Sequence, residues 1–389
     1  MDSGNKLFLL DAYALIYRAY YAFIKNPRIN SKGFNTSAVL GFVNTLEEVL
    51  KKENPTHIGV AFDPSGPTFR HEAFEQYKAQ REETPEAIRL SVPIIKDIIK
   101  AYRIPILEVP GYEADDVIGT LATEAGRQGI TTYMMTPDKD YGQLVSDKVF
   151  MYRPKHTGGF EVMGIEEVKA KFDIQSPAQV IDMLGLMGDA SDNIPGCPGV
   201  GEKTAQKLIA EFGSIENLLE HTDQLKGALK TKVETNRKLI TFSKFLATIK
   251  IDVPIQLEMD ALVREEADEN SLRSIFEELE FRTLIDRVLK KESTGKGVTA
   301  GNKTAAGKAT PAPLPLFSEN EGAVQGDLFA NFATNRPDEE KKSNLETLNS
   351  LNCSYQLIDT EEKRREIIQK LLTSKILSLD TETTGTEPM

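Results

Sequence analysis

The sequence predicts an α/β protein in which a mainly parallel sheet with helices is followed by a region of helices alone. Short apolar runs alternate with longer amphipathic ones from residue 6 to about residue 290. These short runs are rich in β-branched or apolar residues and too brief for helices, so we expect strands. The three clearest end at carboxylates: Lys6–Leu10 at Asp11, His57–Phe62 at Asp63, and Thr131–Thr136 just before Asp138.

Amphipathic patterns between these strands predict helices at Ser37–Lys52 and Glu86–Ala101. Thr36 is suited to cap the first helix, and Pro85 lies near the first turn of the second. Strand-helix-strand order implies a mainly parallel sheet, whose ligand site lies beyond the carboxyl ends of its strands. The carboxylates that end the strands are therefore expected to converge.

The remaining chain divides by composition. Helices are predicted at Glu166–Phe172, Pro177–Gly185, Lys203–Glu211, Ile215–Glu220, Thr231–Phe245 and Ser271–Leu279. Residues 292–350, rich in Gly, Thr, Ala, Lys and Pro, are expected to be a flexible linker because they cannot bury enough apolar surface. Residues 351–389 show a strand, a helix (Thr360–Leu372) and a strand (Lys375–Leu379), too little for a core of their own. The predicted domains are 1–165, 166–291, the linker 292–350, and the start of a domain cut short at 351–389.

Composition excludes several classes of protein. With 389 residues and 40% hydrophobic content, the chain can bury a sizeable core. Cys197 and Cys353 are far apart with no His at metal-ligand spacing, which argues against a disulfide framework and a zinc site. Neither a signal peptide nor a run long enough to cross a bilayer is present. We expect a cytoplasmic protein that does not enter membranes.

The formal net charge of -12 argues at first against a nucleic-acid partner, since neutralising phosphates requires clustered cations. Many of the acids, however, lie at strand ends and turns, while bases gather at 70–81 and 226–238. An acidic metal pocket beside basic DNA-contacting surfaces has the same total charge.

Three short motifs supply most of the candidate carboxylates. Gly111–Asp116 begins a helix, where Glu113 and Asp116 share a face. Acids in a first turn are ordinarily caps that the helix dipole favours. Thr136–Asp140 and Gly188–Asn193 add two acids each, and a single Asp at such positions is usually a turn former. The full candidate set is Asp11, Asp63, Glu113, Asp115, Asp116, Asp138, Asp140, Asp189 and Asp192.

These nine acids could not be brought together as bare anions without severe repulsion, which divalent cations would relieve. Oxygen ligands without His or Cys favour Mg²⁺ or Mn²⁺. Two such ions, roughly 4 Å apart, can activate a water and stabilise the leaving oxygen of a phosphodiester. We therefore expect a phosphodiester hydrolase with two or more ions.

A glycine-rich turn at Ile194–Ala205 leads into the predicted helix Lys203–Glu211. Glycines allow a phosphate to approach backbone N–H groups, and a helix amino terminus favours an anion. An ordinary tight turn is the simplest alternative. A nucleotide-binding P-loop is disfavoured because Glu202 occupies its lysine position. We favour a helix-hairpin-helix that holds a DNA backbone without reading its sequence.

In the segment Thr68–Arg81, basic residues are interleaved with Phe69, Phe74 and Tyr77. Cations that follow phosphates and rings that stack on bases are typical of single-strand binding. An exposed amphipathic helix explains the same pattern equally well.

Together these motifs resemble the 5′ nuclease domain of bacterial DNA polymerase I, which is kin to flap endonucleases. The order and spacing match over roughly residues 5 to 290: Asp11, Phe62–Arg70, Tyr77–Arg81, Gly111–Asp116, Thr136–Asp140 and Gly188–Gly196. The resemblance implies a PIN-like α/β core, a helical arch over the active site and a helix-three-turn-helix. It also implies removal of flaps or RNA primers at nicks and 5′ ends of DNA, by a monomer.

The resemblance assigns roles to individual residues. All nine acids would hold metal. Lys78 and Arg81 would lie in the arch and contact the reacting phosphate, and Tyr77 would contact a base. Arg18 and Arg70 would hold the substrate near the cleavage point. The duplex would be gripped by Gly199, Gly201, Lys203 and Thr204, with a bound K⁺.

The sequence departs from the family in two places. Glu82 and Glu83 stand where family members often carry prolines, which alters the charge and ordering of the arch. Ser378–Gly385 is similar to the first motif of a 3′ to 5′ proofreading exonuclease, but Asp380 and Glu382 would need partners that this sequence lacks. Neither proofreading nor polymerisation is expected.

Gln325–Phe329 resembles the short peptide by which bacterial repair proteins dock on the sliding clamp. Gln325, Leu328 and Phe329 would fill its pocket, although five residues in a biased segment also match by chance. Two rival functions remain for the whole chain. One is a DNA-junction binder in which the acids are only caps and turns, and the other is a PIN-type ribonuclease.

Overall fold

The computed structural model describes residues 4–155, 159–289 and 360–372. Residues 4–289 belong to one compact unit and residues 360–372 to a second. The predicted linker, the clamp peptide with Gln325, Leu328 and Phe329, and the acids Asp380 and Glu382 lie outside the described residues.

A six-stranded sheet forms the centre of the first unit, with the spatial order β3-β2-β1-β4-β5-β6. Its strands are β1 (Lys6–Asp11), β2 (His57–Ala61), β3 (Ile106–Leu107), β4 (Thr131–Met135), β5 (Val149–Pro154) and β6 (Phe160–Met163). All neighbouring pairs are parallel except β5 and β6. The mainly parallel sheet is therefore confirmed.

Both faces of the sheet are covered, as a parallel sheet requires. Side chains alternate along β1, so Phe8 and Leu10 pack into one apolar cluster while Leu7 and Leu9 pack into the other. The surrounding helices are α1 (Ala12–Ala22), α2 (Ser37–Lys52), α3 (Phe69–Ala73), α4 (Glu86–Ala101) and α5 (Ala114–Arg127). The bounds of α2 and α4 agree with those predicted.

Helices follow the sheet: α6 (Ile165–Phe172), α7 (Gln179–Met187), α8 (Glu202–Phe212), α9 (Ile215–Glu220), α10 (Gly227–Thr235), α11 (Arg237–Ala247), α12 (Met259–Leu262), α13 (Glu269–Glu278) and α14 (Arg282–Leu284). Short 3₁₀ turns span Lys139–Leu144 and Thr222–Gln224, and a π turn spans Ile285–Leu289. Leu272 and Phe276 of α13 pack in the same apolar cluster as Phe8, so the chain returns to the first domain's helices.

One predicted helix, Thr231–Phe245, is divided in two by the structure. Asn236 ends α10 and begins α11, and its Nδ2 donates to the Lys232 carbonyl at 2.8 Å. Asparagine competes for backbone groups in this way, which interrupts a helical pattern that the apolar spacing alone would continue.

The second unit is described only through α15 (Glu361–Leu372), which agrees with the predicted helix. Thr360 accepts the Lys363 amide, and Arg365 pairs with Glu361 one turn away at 2.8 Å. In the described parts of the chain, no helix combines the length and apolar character needed to cross a bilayer.

Candidate metal centre

A cavity of about 800 Å³ opens at the carboxyl edge of the sheet, beside the point where strand order reverses between β1 and β4. Open parallel sheets place their ligand sites at such reversals. Asp11 ends β1, Asp63 follows β2, and Asp138 follows β4, and all three line the cavity. Glu113 and Asp115, at the start of α5, line it too.

Asp11 both caps a helix and faces the cavity. Its Oδ1 accepts the Ala14 amide at 3.1 Å, while Thr136 and Tyr141 hydroxyls each lie 3.2 Å from Oδ2. Burial, and then the charge of Asp63, raise the pKa of Asp11 to about 7. Asp11 is therefore a helix cap, as the simpler interpretation of a strand-end acid predicts. Capping does not explain why Asp11, Asp63 and Asp138 line the same cavity.

Two turns bring further acids to the same place. Asp138 accepts the Asp140 amide at 3.0 Å, and Lys139 pairs with Asp189 of the second turn at 2.9 Å. Burial raises the pKa of Asp140 well above its usual value, and the charges of Asp138 and Asp189 add to the effect. The motifs 136–140 and 188–193 therefore meet in space.

The turn 188–196 closes on itself through backbone pairing of Asp189 with Ile194. Gly188 and Gly196 hold its two ends with φ of 74° and 62°. A Cβ on Gly188 would lie 2.4 Å from the Ile194 carbonyl oxygen, and one on Gly196 would lie 2.3 Å from the Gly188 nitrogen. Only glycine fits where the two backbones approach so closely.

Lys78 and Arg81 border the cavity and are paired with acids in or beside it. Lys78 Nζ lies 2.7 Å from Glu113 and 3.7 Å from Asp192, and Arg81 also pairs with Asp192. Burial alone would raise the pKa of these carboxyls. The two cations outweigh it at Asp192, whose pKa falls to about 2, while Lys78 and Arg70 lower that of Glu113.

The segment predicted to form a helical arch is helical only over α3. From Phe74 to Arg81 the chain forms turns, and Lys78 has a φ of 57°, which a continuing helix does not allow. The Lys78 amide donates to the Asp192 carbonyl at 3.1 Å, and Gln80 Nε2 donates to the Ala190 carbonyl at 2.6 Å. Contacts with the turn 188–196 replace helical hydrogen bonds in this segment.

Two residues predicted to contact DNA are buried instead. Arg70 is 1% exposed and pairs with Glu113 and Asp116, and Tyr77 is 3% exposed. The Tyr77 hydroxyl lies 2.9 Å from Glu113 and 3.1 Å from Asp192. The interleaved basic and aromatic pattern at 68–81 predicted an exposed surface. The buried partners of Arg70 and Tyr77 lie more than 30 residues away in the chain, and local spacing cannot show them.

The other predicted contacts lie at two separate surfaces. Arg18 lines the cavity and donates to the Lys155 carbonyl at 3.3 Å. The four residues expected to grip a duplex lie outside the cavity, around the start of α8. Three of them are exposed, namely Gly199, Gly201 and Lys203, and Thr204 is half-buried.

Sequence reasoning missed one wall of the cavity, which α1 supplies. Tyr13, Tyr17 and Tyr21 line it, with neighbouring ring centroids 6.5 and 6.3 Å apart. The Tyr17 hydroxyl lies 3.0 Å from Thr84 Oγ1 across the cavity. Their spacing of four residues places them on one helix face, a signal that was available in the sequence.

The acids fit divalent cations. Oxygens of Glu113, Asp115 and Asp116 lie within 4.8 Å of one another. Asp115 and Asp140 each bury an Oδ1 atom without a hydrogen-bond partner in the described structure. Buried carboxylate oxygens without donors are costly unless a cation balances them. An all-oxygen set of this kind suits a hard ion.

Two family models match consecutive parts of the chain: the 5′-3′ exonuclease N-terminal resolvase-like domain over residues 6–173, and the 5′-3′ exonuclease C-terminal SAM fold over residues 175–270. The chain belongs to the 5′-3′ exonuclease family. This exonuclease/flap endonuclease family is metal-dependent, and the acidic cluster is where metal can bind. The predicted family and enzyme class are confirmed.

Relatives include DNA polymerase I of Bacillus subtilis, 43% identical over 291 residues that make up 74% of this chain and 33% of that protein. DNA polymerase I of Mycobacterium tuberculosis is 39% identical over 72% of this chain and 31% of its own length. The chain spans about a third of the length of these relatives.

Solved structures share the fold. Zinc-bound T5 5′-exonuclease is 21% identical, with a TM-score of 0.53 over 71% of this chain and 99% of that chain. The bacteriophage T5 D15 flap endonuclease, solved with DNA and metal ions, is 23% identical, with a TM-score of 0.51 over 71% of this chain and 100% of that chain. The PIN-like, resolvase-like fold is thereby confirmed.

Proposed function

We propose that this chain is an Mg²⁺-dependent nuclease that removes 5′-terminal nucleotides and flaps, including RNA primers, from DNA. The observation that carries the proposal is the cavity itself, which is lined by five of the candidate acids, one of them Asp115 with an unpartnered buried oxygen, and by Lys78 and Arg81. Mn²⁺ is the alternative ion that the same oxygen ligands would accept.

Asp11, Asp63, Glu113, Asp115 and Asp138 line the cavity and would hold the ions there, with Asp140 adding its unpartnered oxygen. When bound, divalent ions supply the charge that activates water and stabilises a leaving oxygen. Lys78 and Arg81 would bind the reacting phosphate. The phosphate would then compete with Glu113 and Asp192 for these two basic side chains.

The cavity wall formed by α1 provides the substrate's remaining contacts. The three tyrosine rings offer faces on which unpaired bases can stack, and Arg18 adds a cation for a phosphate. The exposed start of α8, with Lys203 and two glycines, would grip duplex backbone, with K⁺ at this turn as a further part of the proposal. Together these surfaces favour a substrate with both single-stranded and duplex parts.

A doubly labelled DNA flap tests the proposal directly. We expect cleavage near the junction with Mg²⁺ and none with EDTA. A substrate that stays whole under both conditions while still binding would instead identify a junction-binding protein. Cleavage of RNA alone, with the DNA flap untouched, would identify a ribonuclease.

The partners and location of the chain extend the proposal. The relatives are bacterial DNA polymerases, so we propose a monomeric cytoplasmic enzyme that reaches DNA partly through the sliding clamp. Two adjacent apolar side chains that dock on the clamp would raise the local concentration of an enzyme at its substrate. A pull-down with clamp protein should capture the chain but not its Leu328→Ala/Phe329→Ala variant. Equal capture would reject the clamp contact.

A further inference from the structure

Arg70 uses every donor that a guanidinium has. Its Nε donates to the Leu246 carbonyl at 3.0 Å, and Nη2 donates to the Thr248 carbonyl at 2.9 Å. Nη1 donates to Glu113 Oε2 at 3.1 Å, and the two Nη atoms bind both oxygens of Asp116 at 2.8 Å each. With five N–H groups engaged and 1% exposure, this side chain has nothing left for a phosphate.

Asp116 is equally saturated. Besides Arg70, its Oδ1 accepts the Lys250 amide at 2.7 Å, and its Oδ2 accepts the Glu113 amide at 3.1 Å. Each oxygen therefore accepts two hydrogen bonds, and the residue is completely buried. Proximity would place Asp116 in one cation site with Glu113 and Asp115, but a carboxylate with four accepted hydrogen bonds has no lone pair to offer.

The neighbouring acid shows the opposite arrangement on the same helix turn. Asp115 lines the cavity, and its Oδ1 has no hydrogen-bond partner. Among the described residues, the basic group nearest to Asp115 is Arg70, whose Nη1 lies 3.9 Å from Oδ1, beyond hydrogen-bonding distance. Asp115 and Asp116 thus point to different surroundings, one open to an ion and the other closed by protein donors.

The Arg70 contacts join three parts of the fold. Arg70 lies on α3, Asp116 lies on α5, and Leu246 and Thr248 form the end of α11 in the helical region. If the proposed function holds, we propose that Arg70 and Asp116 are a positioning pair that fixes Glu113 relative to the end of α11, and that Asp116 is not a cation ligand.

The pair has a thermodynamic signature that a ligand lacks. Neutralising one partner of a buried ion pair leaves the other charge without compensation, and the groups that this charge binds are then displaced. Neutralising both removes that imbalance, so the two changes are not additive. Loss of a true ligand is not repaired by removing a nearby arginine.

The test measures Mn²⁺ binding by electron paramagnetic resonance, without DNA and without turnover. Asp116→Asn should weaken Mn²⁺ binding by about tenfold, which is the typical effect of losing a residue that positions a metal ligand. Arg70→Gln/Asp116→Asn should regain at least about threefold of that loss, within the usual range of pair coupling. A double variant that binds no better than Asp116→Asn would overturn the pair.

Asp115→Asn is the matched control. It should lose Mn²⁺ binding more severely, and Arg70→Gln should not restore any of the loss. Rescue of both acids alike would also overturn the proposal, because it would mean that Arg70 merely repels cations. Absence of Mn²⁺ binding by the unmodified protein would contradict the proposed function instead.

Hydrogen exchange tests the pair independently of metal. Arg70→Gln and Asp116→Asn should each speed exchange of the Lys250 amide by at least about tenfold, since that N–H donates to Asp116. Asp115→Asn should leave it unchanged. If Arg70→Gln fails to fold by circular dichroism, Arg70→Lys retains the charge with fewer donors and should give a smaller increase. Unchanged exchange in folded Arg70 and Asp116 variants would overturn the link to α11.

Discussion

The acidic cluster has two sides that differ in how their charge is balanced. Burial raises the pKa of one group, and nearby acids add to the shift; its members are Asp11, Asp63, Asp115 and Asp140. The other group is paired with basic side chains; its members are Glu113, Asp116, Asp189 and Asp192. Burial and neighbouring acids thus dominate in the first group, whereas basic side chains of the protein balance the charge of the second.

Asp140→Ala should have the largest effect of the three substitutions, and it tests the group of acids whose pKa is raised. We expect flap cleavage at saturating Mg²⁺ to fall by roughly 1000-fold, the upper end of the cost of losing one electrostatic partner. Folding should persist, since the Asp140 Oδ1 makes no hydrogen bond. Single-turnover cleavage measures the effect, with the exposed Asp147→Ala as control. Equal rates for the two variants would remove Asp140 from the site.

Lys78→Met tests the paired side. We expect cleavage to fall by roughly 100-fold, as for loss of one donor to a developing charge. Metal-free stability should also fall, by about 1–3 kcal/mol, because Glu113 and Asp192 lose a shared cation. Chemical denaturation measures that change. Lys96→Met is the control, since Lys96 also borders the cavity but pairs with Glu108. Comparable losses of cleavage and stability in the two variants would show that Lys78 has no special role.

Asp11→Asn should have the smallest effect on metal-free stability, and that effect should have the opposite sign to the effect of Lys78→Met. The folded pKa of about 7 lies above the ordinary carboxyl value of 3.8, so the folded state holds its proton more tightly. Metal-free stability should therefore fall as pH rises from about 4 to 7, where the unfolded chain binds fewer protons. At pH 8 in EDTA, the variant should be more stable by on the order of 1–2 kcal/mol.

The gain from Asp11→Asn should nearly disappear near pH 3.5, where Asp11 is mostly protonated even in the unfolded chain. Melting curves at the two pH values, each in EDTA, measure the difference. A gain that is independent of pH would assign the effect to packing instead of charge.

The fold was predictable where local pattern and tertiary environment agree. The amphipathic runs at 37–52, 86–101 and 215–220 form helices with the predicted bounds. The sequence pattern did not identify β5 and β6, which carry no carboxylate at their ends, or β3, which is only two residues long. The helix α1 was missed because it follows a strand without a turn signal.

The site was predictable as a set of acids but not as a network. Strand-end position placed Asp11, Asp63 and Asp138 together, since parallel strands share an edge. The distinction between Asp115 and Asp116 depends on Arg70, 46 residues before Asp116, and on carbonyls 176 and 178 residues beyond Arg70. No local pattern encodes such partners. The roles of the individual acids and of the duplex-gripping residues stay predictions, as does the division into four domains.

The close backbone approach at Gly188 and Gly196 has a consequence for mutational tolerance. Neither residue carries a functional group, yet any side chain there would push apart the chain that presents Asp189 and Asp192. In a comprehensive substitution library selected for cleavage, both glycines should be as intolerant as the acids. A ranking of positions by mutational sensitivity alone would therefore suggest a catalytic role for two glycines whose only contribution is the absence of a side chain.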